Sequence, residues 1–234
     1  MLVVVGIELE ARAIRRCLRP AGGQGGFRQP QLIVRTVGVG ASALARLEPQ
    51  LRADGAAAVL VAVLAGGCAP SVRTADVIVA SAVGSGTAGD WIAPTPWLLG
   101  EAVRRLDQAA LPYRVGRLLT TPAVVGTPAA KAACWRAHEA LAVDMESAHV
   151  LGWAARAGLP ALAVRAVADG PDETLPPLLA SAVGAGGQLR LDTALGWVAS
   201  PALLGSAWRL WRRSRLALDR LARVFTALSR PVDP

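Results

Sequence analysis

Apolar runs of four to six residues alternate along this chain with longer stretches in which apolar positions recur at three- and four-residue steps. That is the signature of strands buried between helices. Residues 2–5, 32–37, 59–64 and 76–81 read as buried strands, with helices over 8–18 and 41–53 linking the first three. A helix over 96–109 leads to a strand over 114–120, and a helix over 128–139 leads to a strand over 141–143. A last helix over 146–157, stopped by Gly158 and Pro160, leads to a strand over 161–167. The alternation predicts a three-layer α/β/α fold around a central twisted mixed β-sheet. No linker divides residues 1–200, which read as one domain, and 201–234 read as a separate helix and tail. In that tail Trp208, Trp211, Leu218, Leu221, Phe225 and Leu228 recur at helical steps with arginines between them, which predicts a basic amphipathic helix.

Composition narrows the picture. Hydrophobic residues make up 53% of the chain and aromatics only 4%, so the core has to be built from Ala, Val and Leu. Cys17, Cys68 and Cys134 are odd in number and scattered, which predicts reduced thiols in a cytoplasmic protein. With only His138 and His149 available, no His-based metal centre is expected, and no cofactor. The opening run at 2–5 is too short for a signal segment, and the longest apolar run, 56–65, is about half of a membrane span.

Of the net charge of +8, the segment 204–234 holds +5, from seven arginines against Asp219 and Asp233. The remainder is mildly basic and shows no nucleic-acid motif, so no nucleic-acid partner is expected. The glycine runs at 22–26 and 184–187 read as surface loops, because neither has the strand-loop-helix setting of a phosphate cradle.

The chemistry-bearing residues are carboxylates near strand ends: Glu8, Glu10, Asp144, Glu146, Asp169, Asp172 and Glu173. Loops at the carboxyl ends of strands are where α/β sheets bind ligands. The same residues also make good helix caps and solvated loops, so composition alone does not choose among them. The segment 143–169 gathers most of them.

Motifs make the choice. The string Ala65-Gly66-Gly67-Cys68-Ala69-Pro70, continuing to Asp76-Val77-Ile78-Val79, resembles the Ala-Gly-Gly block of the nucleoside phosphorylase and methylthioadenosine/S-adenosylhomocysteine nucleosidase superfamily. Val143-Asp144-Met145-Glu146-Ser147, then Gly158-Leu159-Pro160 and Val164-Arg165-Ala166-Val167-Ala168-Asp169, are similar to its Met-Glu and terminal Asp elements, and Gly38-Val39-Gly40 to its second loop. The Val-Asp-Met-Glu-Ser form, Asp169-Gly170-Pro171-Asp172 and the basic tail resemble the hopanoid-associated branch of that superfamily.

The resemblance implies a nucleoside phosphorylase-like fold and cleavage of a purine nucleoside's N-glycosidic bond. In the hopanoid branch this means release of adenine from adenosylhopane to leave ribosylhopane. By the same resemblance Asp169 is the general acid that protonates purine N7, helped by burial that raises its pKa. Glu146 binds the ribose hydroxyls and Met145 packs on the sugar. Glu10 activates water, with Glu8 as the neighbouring alternative. Gly66, Gly67, Val124 and Val125 stand near the base.

A glutamate at position 10 repels phosphate and favours water. Arg12 or Arg35 could still hold phosphate, so phosphorolysis stays open. Val63, Leu64 and Ala168 replace polar residues of the family pattern, and Ala41 a lysine, which makes the pocket more apolar. A lipid-linked nucleoside fits such a pocket. A generic methylthioadenosine-type nucleosidase and a non-catalytic, membrane-peripheral binding protein are the alternatives. The resemblance also implies a homo-oligomer, and the tail offers contact with the inner face of the cytoplasmic membrane.

Overall fold

The computed structural model describes residues 2–6, 8–17, 33–86, 90–175 and 201–229, with side chains in the last segment placed at 205 and 208–229. The expected glycine loops at 22–26 and 184–187, and the division of the chain at residue 200, lie outside the described residues. In chain order the elements are β1 (Leu2–Val5), α1 (Glu8–Cys17), β2 (Ile33–Thr36), α2 (Leu44–Ala53), β3 (Val59–Gly67), β4 (Val77–Gly84) and β5 (Trp91–Ile92). There follow α3 (Pro96–Gln108), β6 (Arg114–Thr120), α4 (Pro128–His138), β7 (Ala140–Asp144), α5 (Ser147–Arg156), β8 (Ala161–Asp169) and α6 (Pro201–Ser229).

The sheet is mixed. β1 lies between β2 and β3, parallel to both, and β8 runs parallel to β3 on the latter's other side. β8 then pairs antiparallel with β4, β4 pairs parallel with β6, and β6 parallel with β7. Finally β7 pairs antiparallel with Gly66 and Gly67 at the end of β3. Those five strands therefore close into a ring from which β1 and β2 extend. β3 takes part in both arrangements: Val59–Val61 face β1, and beyond the end of β1 its last residues turn to β7. A register shift between Ala65 and Gly66 marks that turn.

Side chains alternate between two layers, as strand geometry requires. Leu2 and Val4 face the layer that holds Leu51 of α2 and Leu151 and Trp153 of α5. Val3 and Val5 face Ala11 and Ile14 of α1, Ala102 and Leu106 of α3, and Leu221 and Phe225 of α6. The three-layer α/β/α architecture with a C-terminal helix follows. α4 covers a smaller cluster of Cys68, Leu119, Ala140 and Val143.

Three departures from the predicted elements have physical causes. The helix predicted from residue 41 starts at Leu44, because Gly40 and Ala41 adopt left-handed φ values of 62° and 54° that an α-helix excludes. β3 runs on to Gly67, paired to β8 and then β7 by backbone bonds that need no side chain. β5 has two residues, too few to show a period.

α6 docks on its own domain through Ala217, Leu218, Leu221, Val224, Phe225 and Ala227, all buried. Arg105 secures its end by donating to the Leu228 carbonyl at 2.7 Å. Its earlier turns leave Trp208 57% and Trp211 54% exposed. Phe225→Ala is expected to cost about 3–5 kcal/mol of stability and Trp208→Ala within about 0.5 kcal/mol of none. Chemical denaturation of both variants measures the contrast.

Candidate active site

β1, β3, β7 and β8 all end at one place, and a cavity of about 560 Å³ opens there. Gly6 follows β1 and Glu10 sits on the first turn of α1. Val63–Gly66 come from β3, Asp144–Glu146 from the turn between β7 and α5, and Asp169 is the last residue of β8. Thr121–Val125 follow β6, and Leu175, Leu210 and Ser214 complete the wall.

A buried ion pair builds the β7–α5 turn. Arg165 in β8 is fully buried and donates from Nε to Asp144 Oδ2 at 2.6 Å and from Nη1 to the Val61 and Val164 carbonyls. Its Nη2 and the hydroxyl of Ser147 are hydrogen-bonded, and that hydroxyl donates to Asp144 Oδ2. Asp144 Oδ1 accepts from the Thr120 hydroxyl and from the amides of Glu146 and Ser147. Asp144 therefore caps α5. Burial works to raise its carboxyl, but the Arg165 charge and the Ser147 and Thr120 hydroxyls overcome that and hold it below the ordinary aspartate range.

Glu146 is not the cap that its position suggested, because its side chain makes no capping bond. It turns into the cavity instead, where Oε1 accepts from the Gly40 amide at 3.0 Å and Oε2 from the Met145 amide at 3.2 Å. Burial, together with the nearby Asp144 and Glu10 carboxylates, pushes its carboxyl up to about 8. Glu10 is buried, with Oε2 accepting from the Gly6 amide and Oε1 from the Leu64 amide, both at 2.9 Å. Gly6 separates the two: a Cβ built there would lie 3.4 Å from both Glu10 Oε2 and Glu146 Cδ.

Asp169 forms the other wall. Burial raises its carboxyl, as expected, but the fully buried Lys131 of α4 opposes the rise with its charge and a 2.5 Å hydrogen bond to Oδ2. The Lys131 ammonium also donates to the Gly170 carbonyl at 2.7 Å and the Glu173 carbonyl at 2.8 Å.

The cavity thus brings together Glu10, Met145, Glu146, Asp169, Gly66, Val124 and Val125. Glu8 is excluded. Its carboxylate is half exposed on the outer face of α1, bound to Arg15 at 2.8 Å, so it cannot serve as the alternative base. Gly67 is also outside the lining. A Cβ there would lie 3.0 Å from Val72 and 3.2 Å from Val167, so this glycine serves strand packing. Arg35 is committed to Asp54 through two hydrogen bonds and Arg12 to Glu8, and neither reaches the cavity.

A family model described as the phosphorylase superfamily matches residues 3–185. The chain belongs to the phosphorylase superfamily. Among solved structures it is similar to Helicobacter pylori 5′-methylthioadenosine/S-adenosylhomocysteine nucleosidase in complex with butyl-thio-DADMe-Immucillin-A. It is equally similar to the Neisseria meningitidis nucleosidase in complex with methylthio-immucillin-A. Each is 16% identical over 97% of this chain and 96% of that one, with a TM-score of 0.72. Native futalosine hydrolase of Helicobacter pylori is 18% identical over 72% of this chain and 86% of that one, with a TM-score of 0.62. A search of curated proteins finds no match. Phosphorylase-superfamily membership makes the chain an enzyme by family, one that breaks N-glycosidic bonds.

Sequence reasoning missed three contributors to this superfamily site. Thr120 and Arg165 act through Asp144, and their partners lie 24 and 21 residues away along the chain. Lys131 had one visible signal, being the single lysine among 25 basic residues.

Glu146 gives a pH test. Between the ordinary glutamate value and about 8, the folded chain holds a proton that the unfolded chain has released, so stability falls as pH rises through that window. Glu146→Gln removes the effect. Its stability relative to the unaltered protein is expected to grow between pH 5 and 8, by at most about 1.4 kcal/mol per pH unit. Thermal melts at both pH values check this, and an equal shift at each would assign the titration elsewhere.

Proposed function

We propose that this enzyme hydrolyses the N-glycosidic bond of a purine nucleoside and that its substrate is adenosylhopane, released as adenine and ribosylhopane. One observation carries the hydrolytic reading. Besides Asp144, which is paired with Arg165, three carboxyl groups converge on a cavity whose described lining contains no lysine or arginine. A phosphate dianion entering that site would meet the Glu10 carboxylate with no cation in the described lining to offset it, since Lys131 is held behind Asp169 by its three acceptors, whereas neutral water would not be repelled.

Each group has a role that suits its surroundings. Asp169, with its carboxyl raised, gives a proton to purine N7 as the base departs. Glu146 and Met145 hold the ribose as it becomes oxocarbenium-like. Glu10 takes the proton of the attacking water, whose oxygen bonds to the anomeric carbon. Glu146, its carboxyl raised by burial and by the Asp144 and Glu10 carboxylates, lies beside Glu10 with only Gly6 between them.

Support for a lipid-linked nucleoside comes from the motifs of the hopanoid-associated branch and from the wall. Val39, Val63, Leu64, Val124, Val125, Ala168, Leu175 and Leu210 make most of the lining apolar. No helix of the described residues is long and apolar enough to cross a membrane. α6 instead presents Trp208 and Trp211 outward, with Arg212 and Arg215 stacked on their rings at 5.7 and 5.1 Å. That pairing suits an anionic headgroup layer.

The test is adenine release from adenosylhopane in a lipid suspension at two phosphate concentrations, with methylthioadenosine as a competing soluble substrate. Release is expected to be independent of phosphate and to favour the lipid-linked nucleoside. A rate proportional to phosphate would make the enzyme a phosphorylase, and preference for methylthioadenosine would make it a nucleosidase of that kind. Asp169→Asn and Glu10→Gln are each expected to lower kcat by roughly 10²–10⁴-fold in protein that still unfolds cooperatively, at a lower midpoint because each change weakens a buried hydrogen-bonded group.

A further inference from the structure

Lys131 has no role in the reaction above, yet the chain spends its only lysine there and uses arginine at the 24 other basic positions. The side chain is fully buried, and all three ammonium protons are committed: to Asp169 Oδ2 at 2.5 Å, the Gly170 carbonyl at 2.7 Å and the Glu173 carbonyl at 2.8 Å. A planar guanidinium does not place three donors on three acceptors arranged around one nitrogen. The requirement at this position is therefore for a compact tetrahedral cation. The second oxygen of Asp169, Oδ1, accepts no hydrogen bond among the described residues.

Resting on the assignment of Asp169 as the acid, we infer that Lys131 is its positioning residue. It keeps Oδ2 as an acceptor, so that the transferable proton sits on Oδ1, and it neutralises the carboxylate left behind when that proton goes. In the step itself the Oδ1–H bond breaks, the proton bonds to N7 of the departing base, and the electron pair stays on Asp169. The ammonium keeps its three protons throughout. Burial weakens a carboxylic acid, and a cation beside it restores part of its strength. Lys131 makes the same acid strong enough to give the proton up.

The other groups that bear on this pair are Glu173 and its partner Arg213 at 2.7 Å, together with Cys68 and Cys134. Burial pushes the Cys68 thiol up to about 12 and also raises that of Cys134. Both therefore stay neutral across the working range.

The experiment is the pH profile of kcat and KM for adenine release by the full chain and by Lys131→Gln, Lys131→Arg and Asp169→Asn. Lys131→Gln is expected to lower kcat roughly tenfold or more with little change in KM. It should also move the alkaline limb, above which the acid has lost its proton, upward by about one pH unit. Lys131→Arg, which keeps the charge, is expected to leave the limb in place and recover part of the rate. If Lys131→Gln scales the rate down equally at every pH, the lysine is only structural and the inference falls. If Asp169→Asn still releases adenine, the acid assignment itself falls, whatever the lysine variants do.

A second measurement does not depend on those variants folding. With ¹⁵N-lysine label the protein shows a single side-chain ammonium resonance. That resonance is expected to shift with the same apparent pKa as the alkaline limb, and a resonance unchanged across the limb overturns the proposal.

Discussion

The ion pair between Arg165 and Asp144 is the constraint from which the site geometry follows. A buried pair of this kind contributes little net stability, because desolvation of both charges offsets their attraction. What it contributes is position. The guanidinium reaches from β8 to the end of β7 and to the Val61 carbonyl of β3, tying together three strands that converge on the cavity. Asp144, satisfied by five donors, then caps α5 and aims the next two residues, Met145 and Glu146, at the space above Gly6 and Gly40.

Charge is ordered from that anchor outward. Asp144 ionises because Arg165 is beside it, and its charge helps keep Glu146 protonated. Glu10 has amide donors on both oxygens, and Asp169 has Lys131. Four carboxyl groups within one small region thus have four different surroundings, which lower Asp144 and raise Glu146 and Asp169. Separated acidities are what a site needs if one group is to give a proton while another takes one.

The fold was legible from sequence wherever burial imposed a period. Leu2–Val5, apolar on both faces because helices cover the sheet on both sides, forms the strand that its run of four apolar residues predicts. Residues one or two apart were harder to separate. Glu8 and Glu10 stand two places apart on a helix, about 200° around its axis, so one faces solvent and the other faces inward with Ile14. Gly66 and Gly67 are adjacent in a strand and point to opposite faces. Motif order names such pairs together, whereas only the packing of α1 and β3 assigns each member a side. Lys131, notable in the sequence only as the single lysine, could not be placed for a different reason: α4 reads as an alanine-rich helix, and Asp169, to which it donates, lies 38 residues away.

α6 connects the two ends of this system. On its inner side Leu210 and Ser214 wall the cavity, and Arg213 binds Glu173, whose carbonyl is one of the three acceptors of Lys131. Trp208 and Trp211 face out one turn or less away. A tilt of this helix would disturb both the cavity wall and the Arg213–Glu173 contact behind Asp169. Its C-terminal half, buried through Leu221, Val224 and Phe225, resists that tilt and holds the first half in register with the pocket. Docking on the domain through the second half is therefore compatible with an outward tryptophan–arginine face on the first. The buried half is what allows the exposed half to carry tryptophan and arginine beside the pocket without loosening the cavity wall.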